Sequence, residues 1–414
     1  MLQFFLHGFR SVFHGSRTYW VWVSFLLILA LLGLNAYARQ LAHGLITSGM
    51  GDEVSWGLYI ANFAFLVGMA AAAVMMVIPA YIFKDREMHK VVIFSELFAV
   101  AAMIMCLLFI VVDLGRPDRF WHLIPFVGYF NWPGSLLTWD VIVLNGYLVL
   151  NLYVCVYVLY TGFHGRSPKP LLYIPIVFLA IGWAPSIHTV TAFLFQGLGG
   201  RPFWNTGLIA PRFLASAFAA GPAFMILVFT ILKNLGAISF ESGLIDRMRV
   251  IVTVSLLINI FLAGSELFAE FYSDAAHTVH ISHLFGLHGT SLLAPWIWTS
   301  LGMNVLAALI LMSPARRNSF ALIFSCIMIV VGIWIEKGLG FVVPGFIPST
   351  LGDFVQYLPS RNEVMLCIGI WAFGLLLYTL FLKGAIPIVN QQNPEKRKEV
   401  IEKLPLSSGV QQVR

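Results

Sequence analysis

The chain has 414 residues, of which 59% are hydrophobic and only 11% are charged. With a mean hydropathy of +0.86, this composition predicts an integral membrane protein and excludes a soluble enzyme. The net charge of +6 is modest, and nothing in its placement indicates a nucleic-acid partner.

Ten apolar runs are long enough to cross a membrane, since one span needs about 20 apolar residues. We therefore predict an all-α integral membrane protein whose ten-helix membrane domain covers residues 19–384. A segment with several phenylalanines, residues 1–18, precedes it along the cytoplasmic interface, and a charged cytoplasmic tail, residues 385–414, follows. Spans 1 to 10 are predicted at residues 19–37, 55–83, 91–112, 135–161, 171–195, 212–233, 248–271, 290–312, 320–341 and 363–384.

Lysine and arginine are unevenly divided between the two ends of the spans. The N-terminus, the connections after spans 2, 4, 6 and 8, and the C-terminus hold 18 of the 25. Because basic residues concentrate on the cytoplasmic side, both termini are predicted to lie in the cytoplasm, with the protein in a bacterial inner membrane. The other connections then form an outer docking and reaction surface. They contain DLGRPDRFWH (113–122), GLGGRPFWN (197–205), SDAAHTVHISHLFGLH (273–288) and PGFIPSTLGD (344–353).

Polar side chains recur in the outer third of the predicted spans, where burying a charge is expensive. A quinone would suit such a layer, because its two carbonyl oxygens need hydrogen-bond donors and its reduction consumes two protons. The four cysteines lie in apolar stretches without a CxxC spacing, so the electrons must come from a redox centre docked on the outer face. The residues of this layer are Tyr59, Asn62, Asp113, Asp140, His188, Arg212, Glu266 and Glu270.

Two spans carry polar stripes that run from the outer layer toward the middle of the membrane. At 100° per residue, the side chains of each stripe stay within an arc of about 60°. The stripes of spans 4 and 7, with Glu96 near the cytoplasmic start of span 3, predict a proton path; alternatively, the stripe of span 7 only holds helices together. The predicted path comprises Glu96, Asp113, Tyr147, Asn151, Ser255, Asn259, Glu266 and Glu270.

Plainer roles remain open for several of these residues. His188 could be a packing histidine bonded to a neighbouring carbonyl, and Arg212 could be an interfacial anchor. Asp113 could pair with Arg116 and cap its helix. The four histidines of residues 273–288 could be surface residues or metal ligands, and we predict no metal site.

Two other kinds of membrane protein are alternatives. A proton-coupled secondary transporter could use the acidic stripe, but it would favour interrupted spans at corresponding positions of two repeats, and we find no convincing pair. A dihaem cytochrome b would need histidine pairs on facing helices, and only His188 lies clearly within a span.

Five segments carry a more specific signal. They are WGLYIANFAFLVGMAA (56–71), DLGRPDRFWHLI (113–124), SLLTWDV (135–141), SIHTVTAFLF (186–195) and GGRPFWNTGLIAPRFLASAFAAGPA (199–223). Together they resemble the NrfD/PsrC (polysulfide reductase) family of membrane subunits, over spans 2 to 6 by motif and elsewhere by hydropathy. Ten spans are similar to the longer branch of this family, which includes the membrane subunit of the quinone reductase complex.

The resemblance implies two four-helix bundles, spans 2–5 and 6–9, flanked by spans 1 and 10. It implies a chain that binds menaquinone or ubiquinone, holds no haem or iron–sulfur cluster, and docks an iron–sulfur protein on its periplasmic face. A molybdopterin-type subunit or a multihaem cytochrome c would complete the complex, which would exchange electrons with the quinone pool; coupled proton translocation is left open.

The quinone pocket that we predict on this basis has His188, Asp140 and Tyr59 as its catalytic residues. The full set of expected quinone-binding residues is Tyr59, Asn62, His122, Asp140, His188, Thr191 and Arg212.

Overall fold

Ten long helices run through the structure, one for each predicted span. The computed structural model describes residues 1–71, 73–273, 278–287 and 289–392, and this part of the chain contains no β-strand. Ten of its helices are long and apolar enough to cross a membrane, which confirms the predicted fold class. Spans 1 to 10 cover Arg17–His43, Leu58–Ile82, Arg86–Asp113, Leu136–Phe163, Pro170–Gln196, Ile209–Asn234, Ser242–Ser273, Ala294–Met312, Ser319–Phe346 and Arg361–Gln392.

Capping side chains fix where several spans begin. The Ser16 hydroxyl accepts a hydrogen bond from the backbone N–H of Tyr19 at 3.2 Å, and the Asn318 side chain accepts one from Phe320 at 2.8 Å. The Asp85 carboxylate caps span 3 in the same way. Each cap satisfies an N–H group of the first helical turn that has no partner within the helix. These spans begin before their apolar runs because the caps are polar residues outside those runs.

The spans are arranged as two four-helix bundles, as predicted. Spans 2, 3, 4 and 5 pack in a closed ring, and spans 6, 7, 8 and 9 close a second ring in the same order. Spans 2 and 5 also pack on span 6, and span 2 packs on span 9, which joins the bundles. Span 10 packs against spans 2, 3 and 4, and span 1 packs on span 10 and is bonded to span 3 through Gln40, so both flank the first bundle.

Two glycines explain how closely spans 1 and 10 approach each other. Gly33 and Gly369 face one another, and a Cβ atom added to either would overlap the Cα atom of the other. Small residues of this kind allow two membrane helices to pack backbone against backbone. The pairing of these spans therefore depends on one glycine from each.

The two ends of the chain extend the membrane domain. Leu2–Val12 forms a separate helix that packs on span 10, and its Phe4 ring lies 5.8 Å from the rings of both Tyr160 and Phe163. Residues 385–392, assigned to the tail from the sequence, continue span 10 as helix. The remainder of the predicted tail, residues 393–414, lies outside the described residues.

The connections distinguish the two ends of the bundles. Long connections share one end, which we call the long-loop face; their described residues are 44–57, 114–135, 197–208, 278–287, 289–293 and 347–360. Residues 83–85, 164–169, 235–241 and 313–318 form the opposite, short-turn face. The prediction that the long-loop face is extracytoplasmic depends on the basic residues and stays a prediction.

Candidate functional site

Two residues of the predicted pocket are bonded between spans 4 and 5, and a third lies one helical turn away on span 5. The Thr191 hydroxyl donates a hydrogen bond of 2.7 Å to Asp140 Oδ1. His188 lies three residues before Thr191 on span 5, on the same face of the helix. All three side chains are buried, with at most 1% of their surface exposed. We call these three residues the Asp140 site.

The Asp140 site contains polar atoms that the described protein does not satisfy. Asp140 Oδ2 and both ring nitrogens of His188 are buried without a hydrogen-bond partner among the described residues. The carbonyl of Ala184 lies near the His188 ring but forms no hydrogen bond of normal geometry with it. Buried polar atoms are nearly always paired, so these atoms need a ligand or water. The Ala184 carbonyl can engage at most one ring nitrogen of His188, so the other nitrogen and Asp140 Oδ2 remain for a ligand.

A buried lysine approaches the same region from span 9. The Lys337 ammonium donates a hydrogen bond of 3.3 Å to the carbonyl of Phe213 and lies 4.2 Å from the centroid of the Phe213 ring. Its charge is close enough to His188 to interact electrostatically. A cation in this position attracts anionic or electron-rich groups toward His188. From the sequence, Lys337 was used only to assign the orientation of the spans in the membrane, and it was not predicted as a site residue.

Tyr59 is bonded outside the Asp140 site. Its hydroxyl donates a hydrogen bond of 2.7 Å to Gln40 Oε1, and the Gln40 amide donates in turn to a carbonyl of span 3. Asp113 is close to Tyr59, and its Oδ1 is buried without a partner in the described structure. Arg116 pairs with Asp118 at 2.9 Å, so the expected Asp113–Arg116 pair does not form. These contacts link spans 1, 2 and 3.

Asn62, one turn further along span 2, also has protein partners. Asn62 Oδ1 accepts hydrogen bonds from the indole N–H groups of Trp334 at 3.0 Å and Trp371 at 2.8 Å. Its amide group donates to the carbonyl of Leu58 at 2.7 Å. The structure therefore places Asn62 at a junction of spans 2, 9 and 10, with no contact to the Asp140 site among these bonds.

Arg212 lies in the second bundle, where it bridges two carboxylates. Its guanidinium forms an ion pair with Glu266 of span 7 and a second one, of 2.9 Å, with Glu336 of span 9. The side-chain amides of Asn259 and Asn304 donate hydrogen bonds to Glu336 at 3.3 Å and 3.0 Å. We call these five residues the Arg212 cluster. The structure thus separates Arg212 from the Asp140 site, to which the sequence had assigned it.

A π-helical turn in span 9 orients two charged residues that were not selected from the sequence. Ile335–Leu339 forms this turn within an otherwise regular helix. It directs Glu336 into the Arg212 cluster and Lys337 toward Phe213 at the junction between the bundles. Such turns are frequent at functional sites. The available signal was the pair of adjacent charges inside an apolar span.

An open cleft of about 780 Å³ lies beside the Arg212 cluster. Spans 7 and 8 form its sides and spans 6 and 9 its back, with Glu336 and Asn304 among the lining residues. We call it the second-bundle cleft. Glu270 also lines it, and its backbone carbonyl accepts a hydrogen bond from the Thr278 hydroxyl at 2.8 Å. Ser255, the remaining member of the span 7 stripe, is buried.

Glu96 meets Tyr147 and Asn151 in the first bundle. All three line a small cavity of about 250 Å³, and Glu96 Oε2 is buried without a hydrogen-bond partner in the part of the chain described. The Asn151 amide donates a hydrogen bond of 2.8 Å to the Tyr147 carbonyl. Tyr147 follows Asp140 by seven residues, about 10 Å along the same face of span 4. We call this group the Glu96 cavity; the stripe of span 7 lies in the other bundle.

The segment DLGRPDRFWH forms an exposed surface on the long-loop face. His122 stacks on Trp121 with a centroid distance of 3.8 Å, and both side chains are exposed. The structure therefore does not bring His122 into the Asp140 site. The hydrogen-bonded pair of Arg116 and Asp118 raises the pKa of the arginine and lowers the pKa of the aspartate.

The segment GLGGRPFWN instead closes the tops of the bundles. Trp204 is fully buried and donates a hydrogen bond of 3.0 Å to the carbonyl of Phe341. Arg201 lies over the Phe346 ring at 4.7 Å, and burial lowers its pKa. The Trp204 ring also packs at 5.3 Å from that of Phe195, one helical turn beyond Thr191. This aromatic layer covers the Asp140 site on the long-loop side.

Two of the four histidines of residues 273–288 can be placed. His280 Nδ1 lies 3.0 Å from the carbonyl oxygen of Pro344 and 2.8 Å from that of Ile347. His280 and His283 are both buried, so the expectation of surface residues is wrong for them. His277 and His288 lie outside the described residues.

Glu363 organises the long-loop face around span 10, and it was missed in the sequence. This fully buried carboxylate accepts hydrogen bonds of 2.8 Å from the backbone N–H groups of Gly49 and Leu58 and one of 2.5 Å from the Tyr357 hydroxyl. Burial, together with the nearby carboxylate, raises the pKa of Tyr357. Glu363 thereby fixes the connection before span 2 to span 10.

Comparison with known proteins gives one family. The family model described as "Polysulphide reductase, NrfD" matches residues 47–343. The chain is 25% identical over 408 residues to the menaquinone reductase integral membrane subunit of Nitratidesulfovibrio vulgaris, with 91% of this chain and 94% of the relative covered.

Two further relatives are similar over nearly their whole length. A selenate reductase subunit of Mesobacillus selenatarsenatis is 22% identical over 418 residues, and the Hdr-like menaquinol oxidoreductase integral membrane subunit of Archaeoglobus fulgidus is 22% identical over 390 residues. In both cases 91% of this chain and 95% of the relative are covered.

Proposed function

Because the chain belongs to the polysulphide reductase NrfD family, we propose that it is the quinone-reactive membrane subunit of an oxidoreductase complex. Its relatives include proteins named as membrane subunits of a menaquinone reductase and of a menaquinol oxidoreductase. In this proposal the chain exchanges electrons between a partner on its long-loop face and the menaquinone or ubiquinone pool.

The observation that carries the proposal is the set of unsatisfied polar atoms in the Asp140 site. A quinone head group fits these atoms, because the His188 ring can donate a hydrogen bond to a carbonyl oxygen and Asp140 Oδ2 can hold a proton beside it. The bound quinone supplies the redox couple, which takes up two electrons and two protons. His188 and Asp140 orient the head group and exchange protons with it, and the Lys337 charge offsets negative charge near His188.

Entry of a head group requires side chains to move. His188 is fully buried and Asp140 is 1% exposed, so neither touches the membrane or solvent directly. The layer that contains Phe195 and Trp204 closes the long-loop side of the site. We therefore propose that quinone enters when Phe195 and Trp204 move aside or when spans 4 and 5 separate locally.

We place the proton route on the same face of span 4. The Glu96 cavity lies on the inner side of the Asp140 site. Tyr147 and Asn151, which follow Asp140 along span 4, line this cavity together with Glu96 of span 3. Water between these groups completes the path, since Asp140 and Tyr147 are about 10 Å apart along span 4. The Arg212 cluster, with Glu266 and the span 7 stripe, supplies a second set of titratable groups in the other bundle.

The partner proposed for the long-loop face is an iron–sulfur protein, with a molybdopterin-type subunit or a multihaem cytochrome c beyond it. This face carries exposed aromatic and charged side chains, among them Trp121, Tyr129 and Arg119. Aromatic residues and arginine are enriched where proteins bind each other. With the long-loop face outside the cell, both termini are cytoplasmic.

The experiment that tests the proposal replaces His188. In the purified complex, His188→Ala lowers quinone-dependent turnover by about 100-fold or more, because a positioned proton donor typically contributes at least that factor. His164→Ala, at a histidine exposed on the short-turn face, is the matched control and retains wild-type turnover. Wild-type turnover in an assembled His188→Ala complex would return His188 to a packing role and remove the proposed site.

A further inference from the structure

The second-bundle cleft has the position of a small-molecule site that opens toward lipid. Its space of about 780 Å³ includes the open mouth, so an occupant is enclosed only in part and its remainder lies between spans 7 and 8. Spans 7 and 8, which form its sides, pack less extensively on each other than do the other neighbouring pairs of the second bundle. Spans 1 and 10 flank the first bundle and leave this side uncovered.

The walls of the cleft nearest the long-loop face are apolar and partly aromatic. Such walls favour a flat apolar ring, since aromatic side chains stack on rings and bury large areas. The residues concerned are Phe203, Ile281, Leu284, Phe285, Ile297 and Phe341.

The polar back of the cleft disfavours an anion. Arg212 is already paired with both Glu266 and Glu336, so its guanidinium is not free to bind an anion. A phosphate or carboxylate would have to displace one of these carboxylates. A lipid head group is therefore a poor occupant.

The polar atoms left over at the back of the cleft are hydrogen-bond acceptors. The amide groups of Asn259 and Asn304 donate to Glu336, whereas Oδ1 of each is buried without a partner among the described residues. Asn304 Oδ1 faces Gly332 of span 9, so the Asn259 oxygen is the acceptor left for a ligand, which must bring an O–H or N–H group. A metal cation fits less well, because the amide nitrogens, and not the oxygens, face the Glu336 carboxylate.

From this geometry we propose that the second-bundle cleft binds a hydroquinone, the reduced form of an aromatic quinone, at a site separate from the Asp140 site. A hydroquinone is flat, neutral and membrane-soluble, and its two hydroxyl groups donate hydrogen bonds. An oxidised quinone offers only carbonyl acceptors, which cannot pair with the unsatisfied oxygen of Asn259, whereas His188 can donate to them. The inference rests on the proposed function and adds to it a second site that favours the reduced form.

The stoichiometry of binding tests this inference in the purified complex. Anaerobic titration calorimetry with menadiol, a naphthohydroquinone without a tail, gives two sites per chain in the wild type. Ala263 lines the cleft without taking part in the Arg212 cluster, so Ala263→Trp fills the space and leaves one site. Two sites in Ala263→Trp would overturn the inference.

The redox preference of the cleft gives a second, independent readout. Asn259→Leu removes the acceptor at nearly constant volume and weakens menadiol binding at the cleft about tenfold, while the affinity for the oxidised form, menadione, is unchanged. Asn145→Leu, at an exposed asparagine of span 4, is the matched control and changes neither affinity. Equal losses for menadiol and menadione, or no loss, would contradict the assignment.

A His188→Ala complex separates this inference from the proposed function. If it loses menadione binding and retains the cleft site for menadiol, both stand. If it retains menadione binding and turnover, the proposed function fails. Binding of hydroquinone in the cleft is then tested by Ala263→Trp and Asn259→Leu alone. Asn259→Leu decides the question if Ala263→Trp does not assemble.

Discussion

Arg212 binds two carboxylates at once, and this determines what Glu266 contributes. Replacing Glu266 by a neutral residue would leave Arg212 paired with Glu336. The amides of Asn259 and Asn304 would also remain bonded to Glu336. Glu266 is thus the carboxylate of the cluster whose neutral replacement disturbs the other contacts least.

A neutral residue at position 266 should reduce charge movement across the membrane. In liposomes that contain the complex, wild-type turnover builds a membrane potential, and Glu266→Gln builds a markedly smaller one because glutamine cannot carry a proton. Glu53→Gln, at an exposed glutamate of the long-loop face, is the matched control and preserves the potential. Absence of a potential in the wild type, or an undiminished one in Glu266→Gln, would exclude the span 7 stripe from a proton path.

At this scale, helical position predicted the depth of the polar residues better than it predicted their partners. Asp140 and Thr191 meet because they lie on the facing sides of neighbouring helices, and His188 shares the Thr191 face of span 5. Tyr59 lies at a similar predicted depth but bonds to Gln40 of span 1, and Arg212 bonds within the second bundle. Which helices face each other is decided by tertiary packing, which residue spacing along one helix does not contain.

Span 9 contributes one charged residue to the Arg212 cluster and another to the surroundings of His188. Its π-helical turn, Ile335–Leu339, places Glu336 in the Arg212 cluster and Lys337 near His188. Any displacement of this turn would move Glu336 relative to Arg212 and Lys337 relative to His188. The two bundles are therefore electrostatically connected through two adjacent residues.

The pairing of spans 1 and 10 depends on close contact between two glycines. Gly33→Leu should lower the free energy of unfolding by about 1–3 kcal/mol, because a side chain there overlaps the backbone at Gly369. A lower thermal transition temperature of the detergent-solubilised complex measures this effect. Gly302→Leu, where an added Cβ meets nothing within 4 Å, is the matched control with a wild-type transition. Equal transitions in both variants would show that the glycine contact is dispensable.

Hydropathy predicted all ten spans, and polar caps account for the early starts of spans 1, 3 and 9. Span 3 begins at Arg86, five residues before the predicted residue 91, because Asp85 caps it. The short helix Thr278–Leu284 and the π-helical turn of span 9 were not predicted. A short helix in a polar connection has no long apolar run, and a π-helical turn leaves the hydropathy of a span unchanged.

The whole molecule divides its proposed tasks among three parts. The first bundle holds the Asp140 site and the Glu96 cavity, the second holds the Arg212 cluster and its cleft, and the long-loop face is left to bind a partner. This division requires electrons to enter through the long-loop face, since we propose no redox centre within the chain. The family, whose model matches residues 47–343, spans both bundles.

The most direct test of quinone reactivity follows electrons between the partner and quinone. The complex is purified from its native membrane, its iron–sulfur clusters are reduced with dithionite, excess reductant is removed, and menadione is added while the clusters are followed by electron paramagnetic resonance. We predict that an iron–sulfur protein co-purifies with this chain and that menadione reoxidises its clusters in wild type but not in His188→Ala. A chain that purifies without a redox partner, or clusters that menadione reoxidises equally in both complexes, would contradict the proposed function.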